Sequence, residues 1–363
     1  MTETNEKSFK GSRLRLARIF HGLSLEQLGE KVSVTRQYIQ KLEVDPTISL
    51  NKDMLAALAE ALKVEAPFFF DPPINEVQEE ICHFRKRATT PLHIRKRALS
   101  YGTLFNLLLS YLEFHVQFPP NDISLTQHLT GREEIENKTL ELRKRWGLGE
   151  DCPIDNMLRT IENAGGVVTT FDGVSDKIDA FSYLYTRPVI VRSLAKKSVS
   201  RARFDLAHEL GHLILHSGLE DNASVIEEEA NYFASAFLMP RSAFAREFPV
   251  TPRINWNLIY GLKIRWGASI QAIVRRAYDL KILSALQYRQ ASVYIARHQW
   301  RIDEPFEDEI KAENPEIVHS AFDFLKRKNV GAEQVAQDLH ISLEMINKFG
   351  LDLKPLNFLR LVN

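Results

Sequence analysis

Apolar residues recur every three to four positions along the first seventy residues, which predicts short helices. Ser24 and Gln27 form a capping-box pattern at the start of the second helix, predicted over 25–31. After a short break, a third helix is predicted over about 35–43, and the run MLAALAEALKV predicts a fourth. Together these elements predict a compact all-α unit over 9–72.

The pattern changes between residues 73 and 122, where a polar linker leads into an apolar helix. The segment FRKRATTPLHIRKR carries many basic residues and no acid, which predicts a basic linker. The following apolar run, over 101–117, ends at Pro119–Pro120 and is predicted to be helical. Its leucine, tyrosine and phenylalanine residues suit either a buried core or the contact surface of a dimer.

From residue 123 onwards the chain predicts mixed α and β structure. Short apolar runs in GGVVTTF, DAFSYLYT and PVIVR are typical of strands, and longer amphipathic runs surround them. The predicted fold class is α+β and mostly helical, with a small sheet in a central domain over 123–250 and a helical C-terminal region over 251–363. Residues 331–349 are predicted to form a small helical cap on the central domain.

The composition excludes several classes of protein. Lysine plus arginine balance aspartate plus glutamate at 47 each, so any nucleic-acid surface has to be local. Two cysteines, Cys82 and Cys152, exclude a disulfide framework and a cysteine-rich zinc site, and a reducing cytoplasm is the expected compartment. The polar N-terminus lacks the apolar core of a signal peptide, and polar residues interrupt the apolar run 101–118, so no membrane span is expected.

The segment RFDLAHELGHLILH, residues 203–216, carries candidate metal chemistry. His208 and His212 are four residues apart, which places both imidazoles on one helix face, about one turn apart. Two such nitrogens can share one zinc ion, and Glu209 can accept a proton from zinc-bound water, as in the H-E-x-x-H motif. The alternative is a buried helix whose histidines are satisfied by hydrogen bonds. The apolar surroundings favour a metal, because unpaired buried imidazoles carry a high desolvation cost.

The third ligand is indicated less directly. His216 lies eight residues after His208, roughly 12 Å along the same helix axis, so a supporting or surface position is expected for it. Three acids open the following helix, EEEANYFASAFLMP, where the helix dipole favours acids whatever their function. Glu227 stands four residues before Asn231 in an E-x-x-x-N pattern and is the first choice, with Glu229 second. This ligand set suits zinc, and manganese or iron are alternatives.

RARFDLAHELGHLILH followed by EEEANYFASAFLMP resembles the ImmA/IrrE family of bacterial zinc metallopeptidases, and the likeness covers about residues 135–245. The resemblance implies a zincin-like domain that binds zinc and cleaves a protein, typically an Xre-type repressor. It implies that His208 and His212 are metal ligands, that Glu209 is catalytic, and that Glu227 is the third ligand. Zincins bind substrate as an added strand at a sheet edge, and DAFSYLYT or PVIVR is expected to be that edge.

SLEQLGEKVSVTRQYIQKLEVD resembles the helix-turn-helix of the Xre and phage-repressor family, which implies binding to double-stranded DNA, commonly as a homodimer. The candidate DNA-binding residues are Thr35, Arg36, Gln37, Gln40 and Lys41. Arginine and glutamine suit bidentate contacts to bases in the major groove. The alternatives are an ordinary helical bundle or a unit used for protein contacts, because this part of the chain is nearly neutral and phosphate binding favours basic residues.

Two functions fit these features. The first is a cytoplasmic, DNA-binding metalloendopeptidase that cleaves a repressor in stress-response, mobile-element or phage-defence settings. The second is an Xre-family transcription regulator, or antitoxin-like protein, whose zinc domain is a sensor or dimerisation module with little or no proteolysis. The intact Glu209 favours the first function. Tyr183, Tyr185 and His216 are candidates for stabilising the oxyanion of that reaction.

Overall fold

The computed structural model describes residues 8–79, 82–84, 90–123, 129, 131–171, 180–193, 198–216 and 223–353. The helices of these ranges are α1 Gly11–Phe20, α2 Leu25–Lys31, α3 Arg36–Val44, α4 Lys52–Ala61, α5 Leu92–His115, α6 Arg132–Arg145, α7 Met157–Asn163, α8 Val199–Leu215, α9 Ala223–Leu238, α10 Arg241–Glu247, α11 Trp256–Trp266, α12 Ile270–Asp279, α13 Ala285–Arg297, α14 Ile317–Arg327, α15 Ala332–Asp338 and α16 Leu343–Asn347. The strands are β1 His83–Phe84, β2 Val167–Phe171, β3 Ala180–Leu184 and β4 Pro188–Ser193. The predicted α+β, mostly helical fold class is confirmed, whereas residues 85–89 of the predicted basic linker lie outside the described residues.

The first four helices form the compact unit that the sequence predicts. The side chain of Ser24 accepts from the backbone of Gln27, whose own side chain accepts from the Ser24 backbone, so the capping box is present. Thr35 caps α3 by accepting from the backbone N–H of Tyr38 at 3.2 Å. Leu28 of α2 and Ile39 of α3 are fully buried between the helices. A 3₁₀ segment, Ala66–Phe70, closes the unit.

The sheet has the order β1-β3-β4-β2. β2 and β4 run parallel, with Val168 opposite Ile190, whereas β3 is antiparallel to β4. β4 is therefore an interior strand, and PVIVR is not the exposed edge that the sequence analysis allowed as one option. The outer edge of β3 pairs with the two residues of β1 in an antiparallel register, with His83 opposite Ser182.

The two faces of the sheet support two hydrophobic cores. Phe181 and Tyr183 belong to the first core, which also includes α5 and the N-terminal helical unit. Val168 and Ile190 belong to the second core, which includes α8, α9 and the helices α11 to α13. The chain's own core thus covers the buried side of the apolar helix α5. The predicted domain boundaries stay a prediction, because each core draws on more than one of the predicted segments.

The C-terminal tail packs on the N-terminal unit as well as on the central sheet, where Thr169 Oγ1 of β2 donates to Phe349 O at 2.9 Å, so the predicted cap on the central domain describes one of its two contacts. Val64 and Ile341 form an isolated antiparallel bridge. Beside this bridge, Ser342 N donates to Lys63 O at 3.0 Å and Glu65 N donates to His340 O at 2.9 Å. The tail packs there because the buried apolar side chains of α15 and α16 complete the first core between α5 and the N-terminal helices. In the described part of the chain, no helix has both the length and the apolarity needed to cross a membrane.

Candidate metal centre

Helix α8 lies under the sheet and carries the histidine segment. It begins at the N-cap Ser198, whose hydroxyl accepts from the backbone N–H of Arg201 at 3.4 Å. Apolar residues on nearly all sides bury it against β3 and α9. Gly211 sits between the two motif histidines, where a Cβ would lie 3.0 Å from the Phe233 ring of α9. The missing side chain therefore lets α9 approach α8 closely at this point.

Three predicted ligands converge in the space between these helices. His208 Nε2 and His212 Nε2 are 3.0 Å apart. Glu227 places its carboxylate oxygens 3.6 Å from His208 Nε2 and 3.5 Å from His212 Nε2. Ligand atoms at ordinary zinc distances from a tetrahedral ion lie about 3.4 Å from one another. The three side chains therefore have the composition and the spacing that a zinc ion needs, and they could hold one.

The structure distinguishes between Glu227 and Glu229, the two acids considered as the third ligand. Glu227 faces the two histidines, and Asn231, one helical turn later, donates from Nδ2 to the Glu227 carbonyl oxygen at 2.7 Å. Glu229 Oε2 instead lies 3.0 Å from His216 Nε2. His216 is 1 % exposed, and its Nδ1 lies 3.2 Å from His212 Nδ1. His216 thus lies behind His212.

Glu209 occupies the gap between α8 and the sheet. Its side chain is buried, and Ser182 Oγ of β3 donates to Glu209 Oε2 at 2.7 Å. Sequence reasoning missed Ser182, because a serine within an apolar strand reveals its partner only when the strand and the helix are placed together. The alternation of side chains along β3 is the one signal that could have found it: Ser182 faces α8 when Tyr183 faces the other side.

The two tyrosines proposed for the oxyanion do not lie at this site. Tyr183 is buried on the opposite face of the sheet, where its hydroxyl donates to Gly102 O at 3.1 Å and to Asn106 Oδ1 at 2.9 Å. Burial raises the pKa of the Tyr183 hydroxyl well above its usual value. Tyr185 packs against the same first core. The reason is the strand period of two, which directs residues 181, 183 and 185 away from α8.

A cleft of about 750 Å³ opens beside Glu227. Phe204 of α8, Tyr232 of α9 and Tyr288 of α13 contribute apolar wall. The charged lining has both signs and consists of Arg132, Arg201, Arg275, Arg301, Asp205, Glu228 and Asp279. Tyr232 is already engaged, since its hydroxyl donates to Glu136 at 2.8 Å, and burial raises its pKa. The cleft can accept a segment with both apolar and charged side chains.

The predicted DNA-binding residues share one surface of the N-terminal unit. Those residues are Thr35, Arg36, Gln37, Gln40 and Lys41, and all are exposed. Arg18 of α1 holds α3 in place by donating to the two carboxylate oxygens of Glu43, a residue of α3, at 2.5 and 2.9 Å. Arg18 also donates to Leu23 O at 2.8 Å, which ties the same contact to the turn before α2. The outer face of α3 is therefore held rigidly and is open to a partner.

Comparison with known families distinguishes an N-terminal helix-turn-helix unit and a domain of metallopeptidase type. The family description "Helix-turn-helix" matches residues 14–69. The description "IrrE N-terminal-like domain", of a peptidase family, matches residues 161–278. The chain thus joins a helix-turn-helix domain to an IrrE-like domain, and the resemblance found in the sequence is confirmed.

Two relatives are similar to a short part of the chain. An uncharacterized HTH-type transcriptional regulator of Sinorhizobium fredii is 34% identical over 70 residues, which is 19% of this chain and 48% of the relative. A regulator of Rhizobium meliloti described in the same words is 41% identical over 61 residues, which is 17% of this chain and 43% of that relative. The chain spans just under half the length of these relatives.

Proposed function

We propose that this chain is a DNA-binding regulatory zinc metalloendopeptidase that cleaves a protein substrate, a transcriptional repressor, and so controls gene expression. The observation that carries the proposal is the convergence of His208, His212 and Glu227 at tetrahedral spacing, with Glu209 held beside them. The match to an IrrE-like peptidase family supports the same assignment. Stress response, mobile elements and phage defence are the settings that suit such an enzyme.

The chemistry divides between the metal and the protein. His208, His212 and Glu227 would hold a zinc ion, and a bound ion would supply an acidified water and polarise the peptide carbonyl. Glu209 takes the proton from the attacking water and delivers it to the leaving amine. Ser182, which donates to Glu209 Oε2, holds this carboxylate in place for the proton transfer.

The shape of the site favours a protein substrate in an extended conformation. β3 lies directly over α8, and a substrate strand that replaced β1 at the outer edge of β3 would run past Glu209. The cleft beside Glu227 offers both charged and aromatic contacts. A repressor segment that unfolds locally into the site meets these requirements.

The N-terminal domain would bring the enzyme to its site of action on double-stranded DNA, as a homodimer. Thr35, Arg36, Gln37, Gln40 and Lys41 form the exposed outer face of α3 that would enter the major groove. We assign residues 9–72 to DNA binding, 73–122 to the connection, 123–250 to the peptidase domain and 251–363 to the helical region that supports both.

A second function has its own support. The named relatives are transcriptional regulators, and the cleft has the volume of a small-molecule pocket. In this alternative the zinc domain is a sensor or dimerisation module, in a regulator or an antitoxin-like protein, and Glu209 performs no turnover. The two functions differ in what Glu209→Gln does: it abolishes the regulatory effect in the first and leaves it intact in the second.

Elemental analysis of the purified chain tests the metal site directly. About one zinc per chain is expected in the wild type, with loss of the metal in His208→Ala and in Glu227→Ala. Glu209→Gln should keep the zinc and lose cleavage of repressors encoded in the same genome. A wild type that binds no zinc after dialysis against it would overturn the proposal. A Glu209→Gln variant that cleaves at the wild-type rate would overturn the mechanism alone.

A further inference from the structure

We infer that His216 and Glu229 form a relay that positions His212 for the metal, an inference that rests on the proposed metal site. The relay is a chain of two buried contacts. His212 Nδ1 lies 3.2 Å from His216 Nδ1, and His216 Nε2 lies 3.0 Å from Glu229 Oε2. The His216 side chain is 2 % exposed and that of Glu229 is 19 % exposed, so water has little access to either contact.

The direction of each hydrogen bond in the relay follows from one requirement. If His212 Nε2 faces the ion, the ring proton of neutral His212 is on Nδ1, which donates to His216 Nδ1. The proton of His216 is then on Nε2, which donates to the Glu229 carboxylate. Each atom has one compatible role, so a single arrangement of protons satisfies both rings. The carboxylate at the far end accepts the His216 proton and so fixes the orientation of both rings.

The relay also restricts the orientation of the His212 ring. Without the contact at Nδ1, rotation about the side chain would move Nε2 away from the point that Glu227 and His208 share. Groups that hold a metal-ligating histidine in this way typically contribute 10–100-fold to metal affinity. His216 and Glu229 are therefore positioning residues, and neither is a ligand.

Zinc affinity, measured by competition with a chromophoric chelator, tests the relay without any substrate. Glu229→Ala should weaken zinc binding by about 10–100-fold, and Glu229→Gln, which keeps an acceptor oxygen but no charge, should weaken it less. His216→Leu should resemble Glu229→Ala. Glu228→Gln is the matched control: this neighbour is exposed, pairs with Arg132 at 2.9 Å, and should bind zinc as the wild type does.

A second readout separates positioning from general loss of structure. Cobalt in place of zinc reports ligand geometry through its visible spectrum, which should change in Glu229→Ala and stay constant in Glu228→Gln. Wild-type zinc affinity and an unchanged cobalt spectrum in both Glu229→Ala and His216→Leu would overturn the relay and leave the metal site standing. Absence of zinc binding in the wild type would overturn both.

A different observation, at the edge of β3, carries a second inference: we propose that the chain's own residues 82–84 occupy the position of a substrate strand. This proposal also rests on the proposed peptidase function. β1 pairs antiparallel with the outer edge of β3, with His83 opposite Ser182, the residue that contacts Glu209. An extended protein substrate adds to a sheet edge by the same backbone pairing.

The segment before β1 is anchored to the core. The buried backbone N–H of Val77 donates to Thr103 Oγ1 of α5 at 2.9 Å. Glu79 forms an ion pair with Arg95, which also belongs to α5. Cys82 is 5 % exposed. These contacts keep β1 beside β3, so an outside substrate gains the edge only when the chain's own strand leaves it. The segment thus acts as an internal competitor that links peptidase access to the connection between the two domains.

Binding of a peptide in trans tests this competition. The probe is a fluorescein-labelled peptide with the sequence of residues 79–90, EEICHFRKRATT, and the protein carries Glu209→Gln so that the peptide stays intact. The His83→Gly/Phe84→Gly variant, which loses strand propensity and keeps the chain length, should bind the peptide at least about tenfold more tightly than its parent. Glu76→Gly/Gln78→Gly changes the same connection at exposed positions and should bind as the parent does.

Fluorescence anisotropy gives the dissociation constants, and a scrambled peptide controls for charge. Equal binding by the parent and the His83→Gly/Phe84→Gly variant, or no binding by either, would overturn the proposal that β1 competes for this edge. Zinc content measured on the same samples is independent of that result, so the metal site is judged separately. Circular dichroism establishes that the glycine variants are folded.

Discussion

Ser182 Oγ donates a hydrogen bond to Glu209 Oε2 at 2.7 Å, and both side chains are buried between β3 and α8. The contact fixes the carboxylate at the edge of the sheet on which a substrate would lie. Ser182→Ala should therefore slow cleavage of the protein substrate, by roughly tenfold, because a buried charged acceptor loses a donor worth about 1.5–3 kcal/mol. Zinc content should not change. A Ser182→Ala variant that cleaves at the wild-type rate would contradict this role for the contact.

The recognition surface should be separable from the metal centre. Arg36→Ala combined with Gln40→Ala removes two exposed side chains suited to base contacts, so specific DNA affinity should fall by at least about tenfold per lost bidentate contact. Zinc content and substrate cleavage should stay at wild-type levels. Glu26→Ala, an exposed change on α2, is the control. Gel-shift titration against the operator measures the effect, and unchanged affinity would exclude α3 as the reading helix.

The ion pair between Arg18 and Glu43 should stabilise the N-terminal domain. The Arg18 and Glu43 side chains are 11 % and 7 % exposed and form a bidentate contact, so Glu43→Ala leaves a guanidinium poorly paired in a shielded position. We expect the free energy of unfolding to fall by about 1–3 kcal/mol and DNA affinity to fall with it. Glu30→Ala, exposed on α2, should change neither. Denaturant titration provides the measurement.

Stability should decrease on acidification because of His21. Its Nε2–H donates to Leu62 O at 2.8 Å, and burial, assisted by the charge of Lys348, lowers the pKa of His21 to about 4. The unfolded chain takes up this proton near pH 6.5, so the contribution of neutral His21 is complete above pH 6.5 and is lost as the pH falls towards 4. Allowing for partial exposure, the loss is roughly 1–3 kcal/mol.

Thermal unfolding between pH 7.5 and 4.5 measures this dependence. His21→Gln keeps a donor for Leu62 O and has no titrating ring, so its melting temperature should fall less steeply with acid than that of the wild type. His298→Gln, at an exposed position of the C-terminal region, should follow the wild type. Parallel curves for His21→Gln and the wild type would show that other groups cause the acid sensitivity.

The C-terminal tail should be required for stability of the N-terminal domain. Phe349 is 2 % exposed, and its ring lies 4.8 Å from the Tyr101 ring and 6.1 Å from the Phe20 ring. Phe349→Ala should cost about 3–5 kcal/mol and reduce DNA binding at growth temperature. Phe324→Ala is the matched control, since that ring is 43 % exposed. If both variants bind DNA as the wild type does, the tail has no part in the regulatory function.

The sequence predicted what depends on local pattern. The second helix, predicted over 25–31, is α2 Leu25–Lys31, and the third, predicted over 35–43, is α3 Arg36–Val44. Both are determined by apolar spacing and by N-caps within a few residues. Pairing of His208 with His212 likewise needs only one helical turn.

What the sequence could not predict depends on how separate elements meet. The choice between Glu227 and Glu229 depends on the rotation of α9 against α8, which the close approach at Gly211 helps to set. The positions of Ser182 and of Tyr183 depended on which face of β3 turned towards α8. A strand pattern predicts that side chains alternate between the two faces. When both faces are buried, it does not predict which set of residues faces the helix.

The pairing of the chain's last helices with its first ones has a consequence for biosynthesis. Asp71 and His340, in contact at 2.8 Å, are 269 positions apart. A unit of some sixty residues buries too little surface to be more than marginally stable alone, and here the missing surface comes from the end of the chain. On the ribosome helices α2 and α3 therefore wait on the order of tens of seconds for α15 and α16. We expect a stably packed α3 only in chains translated past Phe349, so translation products interrupted before that residue should bind DNA weakly.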